Sequence, residues 1–263
     1  MVARTRSTDA PTEKSPTRYA THSKQSPHKP EVGQIHRIRN RNDVFWYLPQ
    51  LIGYSRVICT LLSVYFAVLS LGNGSFYIRS ITLYCMSFLG DLFDGIAARK
   101  MNQTSTFGGV LDMVTDRCTT LGMLVILTWI YDEPMHRIGL TYLAFLDISS
   151  HWFQMYAAAA LRQHHKSSEA NVRKIFIVRL FYSSYPFFAY CCVGCEFTYI
   201  FLYIIAYCEN ARHVEIILPW LYYFCIPACV LKNIVNVFQL ASASAAIAEY
   251  DVNVYNENNN KKK

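Results

Sequence analysis

Long apolar runs separated by short polar segments dominate the chain from residue 51 onward. Each run is long enough, at about 1.5 Å of rise per helical residue, to cross a hydrocarbon core of about 30 Å. The pattern therefore predicts an all-α integral membrane protein with six transmembrane helices. The predicted spans lie near residues 51–71, 76–98, 109–131, 137–161, 174–207 and 215–247.

Two of the six runs are too long for a simple span. The fifth run has 34 residues, which would make a helix of about 51 Å. We expect it to tilt, to protrude or to break, and Pro186 and Gly194 are the obvious break points. The sixth run is also overlong, and we expect its Ala- and Ser-rich end at 241–248 to emerge into water. Before the first span, the aromatic residues of 44–49 predict a short helix at the level of the lipid headgroups.

The two ends of the chain are polar. Residues 1–43 are rich in Ser, Thr, Pro, Lys and Arg and predict a disordered basic tail. Residues 249–263 predict a polar C-terminal tail, which leaves 44–248 as the membrane domain. Lys and Arg are concentrated in both tails and in the loops at 99–108 and 162–174, so the positive-inside rule predicts that both termini are cytosolic. The N-terminus lacks an apolar segment, and we therefore expect no cleavable signal peptide.

The composition supports the same class of protein. The 263 residues are 52% apolar and only 16% charged, against roughly 25% charged in an average soluble domain. A single soluble globular domain is therefore excluded. Of the net charge of +7, most lies in residues 1–43, which hold nine Lys and Arg against four Asp and Glu. We expect membrane lipid as a partner and no nucleic acid.

Four aspartates interrupt the apolar pattern near the facing ends of the second and third spans. Asp91 and Asp94 are three residues apart and share one helical face, and Asp112 and Asp116 are four apart and share another. The short loop at 99–108 makes the two spans antiparallel neighbours, so both acidic pairs lie at the same depth. Each carboxylate in a membrane segment costs about 2.5–3.5 kcal/mol, so the four must be neutralised. Their oxygen-only ligand set is typical of Mg²⁺ or Mn²⁺.

The spacing of these residues resembles the signature of the CDP-alcohol phosphatidyltransferase family. The segment from residue 91 to 116 reads Asp-x2-Asp-Gly-x2-Ala-Arg-x8-Gly-x3-Asp-x3-Asp. The segments 51–56, 111–118 and 146–152 resemble eukaryotic members of that family that use inositol as the acceptor alcohol. The resemblance extends through most of residues 44–247 and leaves the basic tail outside.

The resemblance implies a six-helix enzyme, usually a homodimer, with its active site at the cytosolic surface of the endoplasmic reticulum membrane. It implies that Asp91, Asp94, Asp112 and Asp116 bind two Mg²⁺ or Mn²⁺ ions and that Asp116 is the general base. A Pro-Asn element that approaches the nucleotide in relatives is Pro49-Gln50 in this chain, and Ser105 is the hydroxyl residue of the x8 loop. The residues implied to bind CDP-diacylglycerol are Pro49, Gln50, Gly95, Ala98, Arg99, Ser105 and Gly108.

The implied reaction transfers a phosphatidyl group from CDP-diacylglycerol to myo-inositol and releases CMP. Inositol is neutral and carries many hydroxyl groups, so its site needs hydrogen-bonding side chains. Asp147, Ser150, His151 and Gln154 recur on one face of the fourth span, and Arg179 on the fifth could add a contact. We predict inositol binding by Asp147, Ser150, His151 and Arg179. Hydrogen bonding between helices is the alternative role of the same polar stripe.

Two other functions are compatible with the residues. The core signature is shared by enzymes that use glycerol phosphate, choline or serine as the acceptor. A divalent-cation transporter could also use four membrane aspartates, although all four lie at one membrane face with no acidic path through the other spans.

Overall fold

The computed structural model describes residues 40–72, 74–163, 176–208 and 211–261. Residues 1–39 of the predicted tail and residues 164–174 of the predicted loop lie outside the described residues. Within the described ranges every regular element is helical, as the apolar pattern predicts. The helices are α1 (Arg41–Phe45), α2 (Leu48–Ser70), α3 (Tyr77–Lys100), α4 (Thr106–Ile130), α5 (Pro134–Gln163), α6 (Phe176–Ser183), α7 (Tyr185–Tyr207), α8 (Ala211–Trp220), a π-helical turn (Leu221–Cys225) and α9 (Ile226–Asn260).

Four stretches of helix in the described chain are long and apolar enough to cross a membrane. They are Leu48–Ser70, Tyr77–Lys100, Tyr185–Tyr207 and the continuous stretch Arg212–Asn260. The remaining long helices are α4, with 25 residues, and α5, with 30 residues. Large apolar side chains of the long helices, such as Leu61 of α2 and Phe93 of α3, are exposed, as expected for surfaces that face lipid.

The fifth predicted span breaks where the sequence indicates. α6 ends at Ser183 and α7 begins at Tyr185, because Pro186 is accommodated in the first turn of a helix but not in its interior. Gly194, the alternative break point, lies inside α7. A Cβ added at Gly194 would lie 2.4 Å from the Cβ of Ala228, so this glycine allows α7 and α9 to approach closely.

One prediction about element ends is wrong. The segment 44–49 is not one helix, because α1 ends at Phe45 and α2 begins at Leu48, with Pro49 in its first turn. At the end of the sixth run, Ala243 is fully buried within the protein, and the emergence of this segment from the membrane stays a prediction. α9 also continues through the polar segment to Asn260.

Helix α2 is central to the half of the protein that carries the aspartates. It packs along both α3 and α4, and these two helices contact each other less than each contacts α2. Buried hydroxyl groups join the three helices, since the Oγ1 of Thr60 lies 2.9 Å from the Oγ of Ser87 and 2.8 Å from the Oγ1 of Thr119. The other half is built from α5 and α7, which both pack on α9.

Candidate active site

The four aspartates converge on one arginine, Arg56 of α2. Its Nη1 lies 2.6 Å from Asp94 Oδ2, 2.6 Å from Asp112 Oδ1 and 3.2 Å from Asp91 Oδ1, and its Nη2 contacts Asp116 Oδ1. The four carboxylates therefore come together, and α2, which packs on both acidic helices, places a guanidinium among them. This fixed positive charge lowers the cost of holding four acidic groups together.

Local packing explains how Arg56 reaches the aspartates. Its side chain is only 2% exposed, and its Nε donates to the backbone oxygen of Ser87 at 3.2 Å. The side chain passes directly over Gly90, where an added Cβ would lie 2.7 Å from Arg56 Cγ. Any other residue at position 90 would therefore displace the arginine.

Three of the four aspartates form a group that could hold a metal ion. One carboxylate oxygen from each of Asp91, Asp112 and Asp116 lies within 4.8 Å of the other two. Asp91 and Asp112 are more than 40% exposed, so an ion could reach them from water. An oxygen-only set fits a hard divalent cation. Asp94 is more deeply buried and lies outside this group of three. The assignment of all four aspartates as metal ligands stays a prediction.

The predicted nucleotide residues lie in two places. Gln50 and Pro49 are buried at the start of α2, and Gln50 Nε2 donates to Ser105 Oγ at 2.7 Å. The same Ser105 oxygen accepts from the backbone nitrogen of Gly108 at 3.0 Å and so caps the start of α4. These four residues form one cluster. Gln103 strengthens it, because its Oε1 accepts from the backbone nitrogen of Leu48.

Gly95, Ala98 and Arg99 lie together on the last turns of α3. The Arg99 side chain is exposed and lies over Gly95, with its nitrogens 3.5–3.6 Å from the position of an added Cβ. An exposed guanidinium above a glycine leaves room for a phosphate group to contact both backbone and charge. The assignment of both clusters to CDP-diacylglycerol stays a prediction.

The predicted inositol residues of α5 belong to a second charged network. Arg117 donates through Nη1 to both carboxylate oxygens of Asp147, at 2.8 and 2.9 Å, and its Nη2 lies 3.6 Å from Asp116 Oδ2. Ser150 Oγ donates to the backbone oxygen of Asp147 at 3.1 Å, and His151 Nδ1 lies 2.7 Å from that same oxygen. Ser150 and His151 therefore bond within their own helix.

Two further polar residues considered for the acceptor site, Gln154 and Arg179, lie on different helices. Gln154 Nε2 donates to the hydroxyl oxygen of Tyr182 at 2.8 Å, which joins α5 to α6. Arg179 lies on α6, and its side chain lies outside what the structure describes.

Several polar residues in or beside these networks were not predicted from the sequence. Arg56 and Arg117 had not been assigned a role. Glu196 of α7 is a partly buried acid that accepts from Tyr84 Oη at 2.6 Å and from Thr120 Oγ1 at 2.8 Å. On α9, buried Lys232, Asn236 and Gln239 face the network of α5. A signal was available, because an ionisable residue within a membrane span is itself an indication of function.

Comparison with known proteins agrees with the residue pattern. Residues 46–221 match the family model for CDP-alcohol phosphatidyltransferase. A probable CDP-diacylglycerol–inositol 3-phosphatidyltransferase 2 of Arabidopsis thaliana is 38% identical over 80% of this chain and 92% of its own length.

Relatives in fungi and mammals carry the corresponding name. The CDP-diacylglycerol–inositol 3-phosphatidyltransferase of Saccharomyces cerevisiae is 36% identical over 82% of this chain and 92% of its own length. The protein of that name in Rattus norvegicus is 31% identical over 80% and 94%, respectively. No solved structure gives a significant match. The acidic signature around Arg56, the family match and these relatives lead to one conclusion: the chain belongs to the CDP-alcohol phosphatidyltransferase family.

Proposed function

We propose that the protein is a phosphatidylinositol synthase, which transfers the phosphatidyl group of CDP-diacylglycerol to myo-inositol and releases CMP. The observation that carries this proposal is the convergence of four signature aspartates inside a chain whose relatives act, by name, on CDP-diacylglycerol and inositol. Several other family members use different alcohols, so the acceptor must be tested directly.

Asp91, Asp94, Asp112 and Asp116 would hold two Mg²⁺ or Mn²⁺ ions in this site. When bound, such ions supply positive charge to the pyrophosphate and to the departing CMP. The cluster around Gln50 and the cluster around Arg99 would bind the nucleotide and its phosphates. Arg99 is the exposed cation suited to that contact.

Asp116 would accept the proton of the attacking inositol hydroxyl. The hydroxyl oxygen forms a bond to the phosphorus that carries diacylglycerol, and the bond from that phosphorus to the oxygen of CMP breaks. Arg56 contacts one carboxylate oxygen of Asp116, and Arg117 lies near the other. Both contacts fix the orientation of the carboxylate, and orientation contributes to proton transfer alongside basicity.

The topology we propose has six spans, formed by α2, α3, α4, α5, α7 and the α8–α9 stretch. At about 1.5 Å per residue, the 25-residue α4 and the 30-residue α5 are long enough to span about 30 Å. Several of their polar residues, such as Thr119, Asp147 and Ser150, are buried within the protein, which lowers the cost of insertion. We further propose a homodimer in the endoplasmic reticulum membrane, with the active site, the basic tail at 1–43 and the polar tail at 249–263 on the cytosolic side.

The test is a reconstitution with purified protein, CDP-diacylglycerol, Mn²⁺ or Mg²⁺ and one labelled alcohol at a time. Inositol should give a labelled lipid and equimolar CMP, whereas glycerol 3-phosphate, choline and serine should not. An Asp112→Asn variant serves as the inactive control. Labelled lipid from another alcohol alone would replace the proposed acceptor. Metal uptake into sealed vesicles without any lipid product would favour the transporter instead.

A further inference from the structure

The polar face of α9 lies against the predicted acceptor side of the site. Lys232, Asn236 and Gln239 recur four and then three residues apart, so they share one face of the helix. All three are at least nine-tenths buried. A lysine and two amides buried in a helix that is apolar enough to cross a membrane are costly unless they serve a purpose.

A continuous series of contacts joins this face to the proposed general base. Lys232 Nζ donates to Asn236 Oδ1, and Asn236 Nδ2 lies 3.5 Å from Asp147 Oδ1. Asp147 accepts from Arg117, whose Nη2 lies 3.6 Å from Asp116. One turn further along α9, Gln239 Nε2 donates to the Tyr182 hydroxyl at 2.9 Å, which also accepts from Gln154.

This region retains hydrogen-bonding capacity of both kinds. Among the described residues, Gln239 Oε1 is buried without a donor, and Arg117 Nε is buried without an acceptor. The Lys232 ammonium has three donor hydrogens, and Asn236 is its hydrogen-bond partner in the described chain. Buried groups of this kind are normally paired in the functional state of a protein, so a bound ligand is expected to pair with them.

We propose that Lys232, Asn236 and Gln239 form an acceptor-binding wall that selects a neutral polyol, an inference that rests on the proposed function. A hydroxyl group both donates and accepts, so the hydroxyls of a polyol can pair with an acceptor such as Gln239 Oε1 and with donors such as Arg117 Nε and the Lys232 ammonium. The phosphate group of glycerol 3-phosphate offers mainly acceptors at neutral pH and is a poor partner for Gln239 Oε1. The quaternary ammonium group of choline offers neither donors nor acceptors and cannot pair with any of the three groups.

The wall also explains how selection could occur without a phosphate clamp. Arg117 is paired with Asp147, so its charge is compensated. Among the described side chains on this face of α9, Lys232 is then the cation that can orient a hydroxyl oxygen. A site built from buried hydrogen-bonding groups discriminates strongly against molecules that cannot pair with them.

The test compares three single variants of the full-length protein in the same inositol assay. Lys232→Met and Gln239→Met remove hydrogen-bonding groups at nearly constant length. Asn233→Leu is the matched control, because the Asn233 amide donates to the backbone oxygen of Cys229 in its own helix. Each variant is first checked for its melting temperature and its elution profile in detergent.

Lys232→Met and Gln239→Met should each raise the KM for inositol about ten-fold or more. Neither should change the KM for CDP-diacylglycerol by more than about two-fold, and Asn233→Leu should resemble the wild type in both constants. Hydrogen bonding between helices alone would not separate the two KM values. Unchanged inositol KM in both folded variants, or equal changes in both constants, would overturn the wall. If the wild type makes no inositol lipid, the proposed function fails first and the wall fails with it.

Discussion

Arg56 should make the stability of the site depend little on metal, and its removal should make that dependence strong. In the structure its guanidinium contacts all four aspartates and is almost completely buried. Replacing it by Met in Arg56→Met keeps an unbranched apolar side chain but leaves four carboxylates close together without a compensating charge. Removing one partner of a buried ion pair costs about 3–5 kcal/mol. At about 2–4 °C per kcal/mol for a domain of 150–250 residues, the melting temperature in EDTA should fall by about 6–20 °C.

Divalent cations should restore much of this loss. A ligand at 100 times its dissociation constant stabilises the state that binds it by about 2.7 kcal/mol. In the wild type the guanidinium already uses carboxylate oxygens that an ion would need, so the same Mn²⁺ concentration should raise the melting temperature less than in Arg56→Met. Thermal unfolding in EDTA and over a Mn²⁺ titration measures both effects without relying on turnover.

A second arginine gives a matched control. Arg79 is exposed and lies over the rings of Phe66 and Phe76, away from the aspartates. Arg79→Met should therefore leave the response to Mn²⁺ unchanged. The reasoning is refuted if Arg56→Met melts like Arg79→Met in EDTA and gains no more than the wild type from Mn²⁺.

Three further predictions follow from the same contacts. Excess EDTA should abolish lipid synthesis and added Mg²⁺ or Mn²⁺ should restore it; full turnover in EDTA would contradict the metal assignment. Gly90→Ala should lower activity at least ten-fold, because its Cβ would lie 2.7 Å from Arg56 Cγ. Mn²⁺ should raise its melting temperature as much as that of Arg56→Met. Normal activity and a normal melting temperature in this variant would show that the arginine can move at no cost. Glu196→Ala should destabilise the protein by about 1–3 kcal/mol in thermal unfolding, since it leaves the buried hydroxyls of Tyr84 and Thr120 without their acceptor. Glu196→Gln should lose less stability, because its amide oxygen can still accept. Equal losses of stability in the two variants would exclude this hydrogen-bonding role.

The apolar pattern predicted the helices well because membrane insertion imposes a length and a composition that sequence reports directly. It predicted the break before α7 from Pro186 for the same kind of reason, since proline has a local steric effect. It did not predict that α9 continues to Asn260. Polar residues with a fair helix propensity carry no apolar period, so a pattern search cannot distinguish a helical continuation from an irregular tail.

The candidate site was predicted in part for a related reason. The four aspartates stand out because acids are rare in membrane spans and their spacing is periodic. Arg56 was overlooked because a single cation scarcely changes the hydropathy of a long apolar run. Lys232, Asn236 and Gln239 were visible as a polar stripe by the criterion that singled out the stripe on α5. The connection between that second stripe and the candidate site becomes visible only in the structure, where α9 packs on α5 and Asn236 contacts Asp147.

The two charged networks meet at a single side chain, and this arrangement constrains how the site can work. One oxygen of Asp116 contacts Arg56, which also contacts the other three aspartates. The other oxygen lies near Arg117, which is paired with Asp147. A base placed between donor and acceptor must stay ionised and must keep its direction when either substrate binds. Two arginines anchored on different helices, α2 and α4, meet both requirements, because a change on one side leaves the other contact in place. A polyol bound against α9 would then act on Asp116 through Asp147 and Arg117, whereas the nucleotide lipid would act through Arg56 and its aspartates. In the proposed mechanism, selection of the alcohol and activation of the phosphate would therefore be carried by different residues that share one carboxylate.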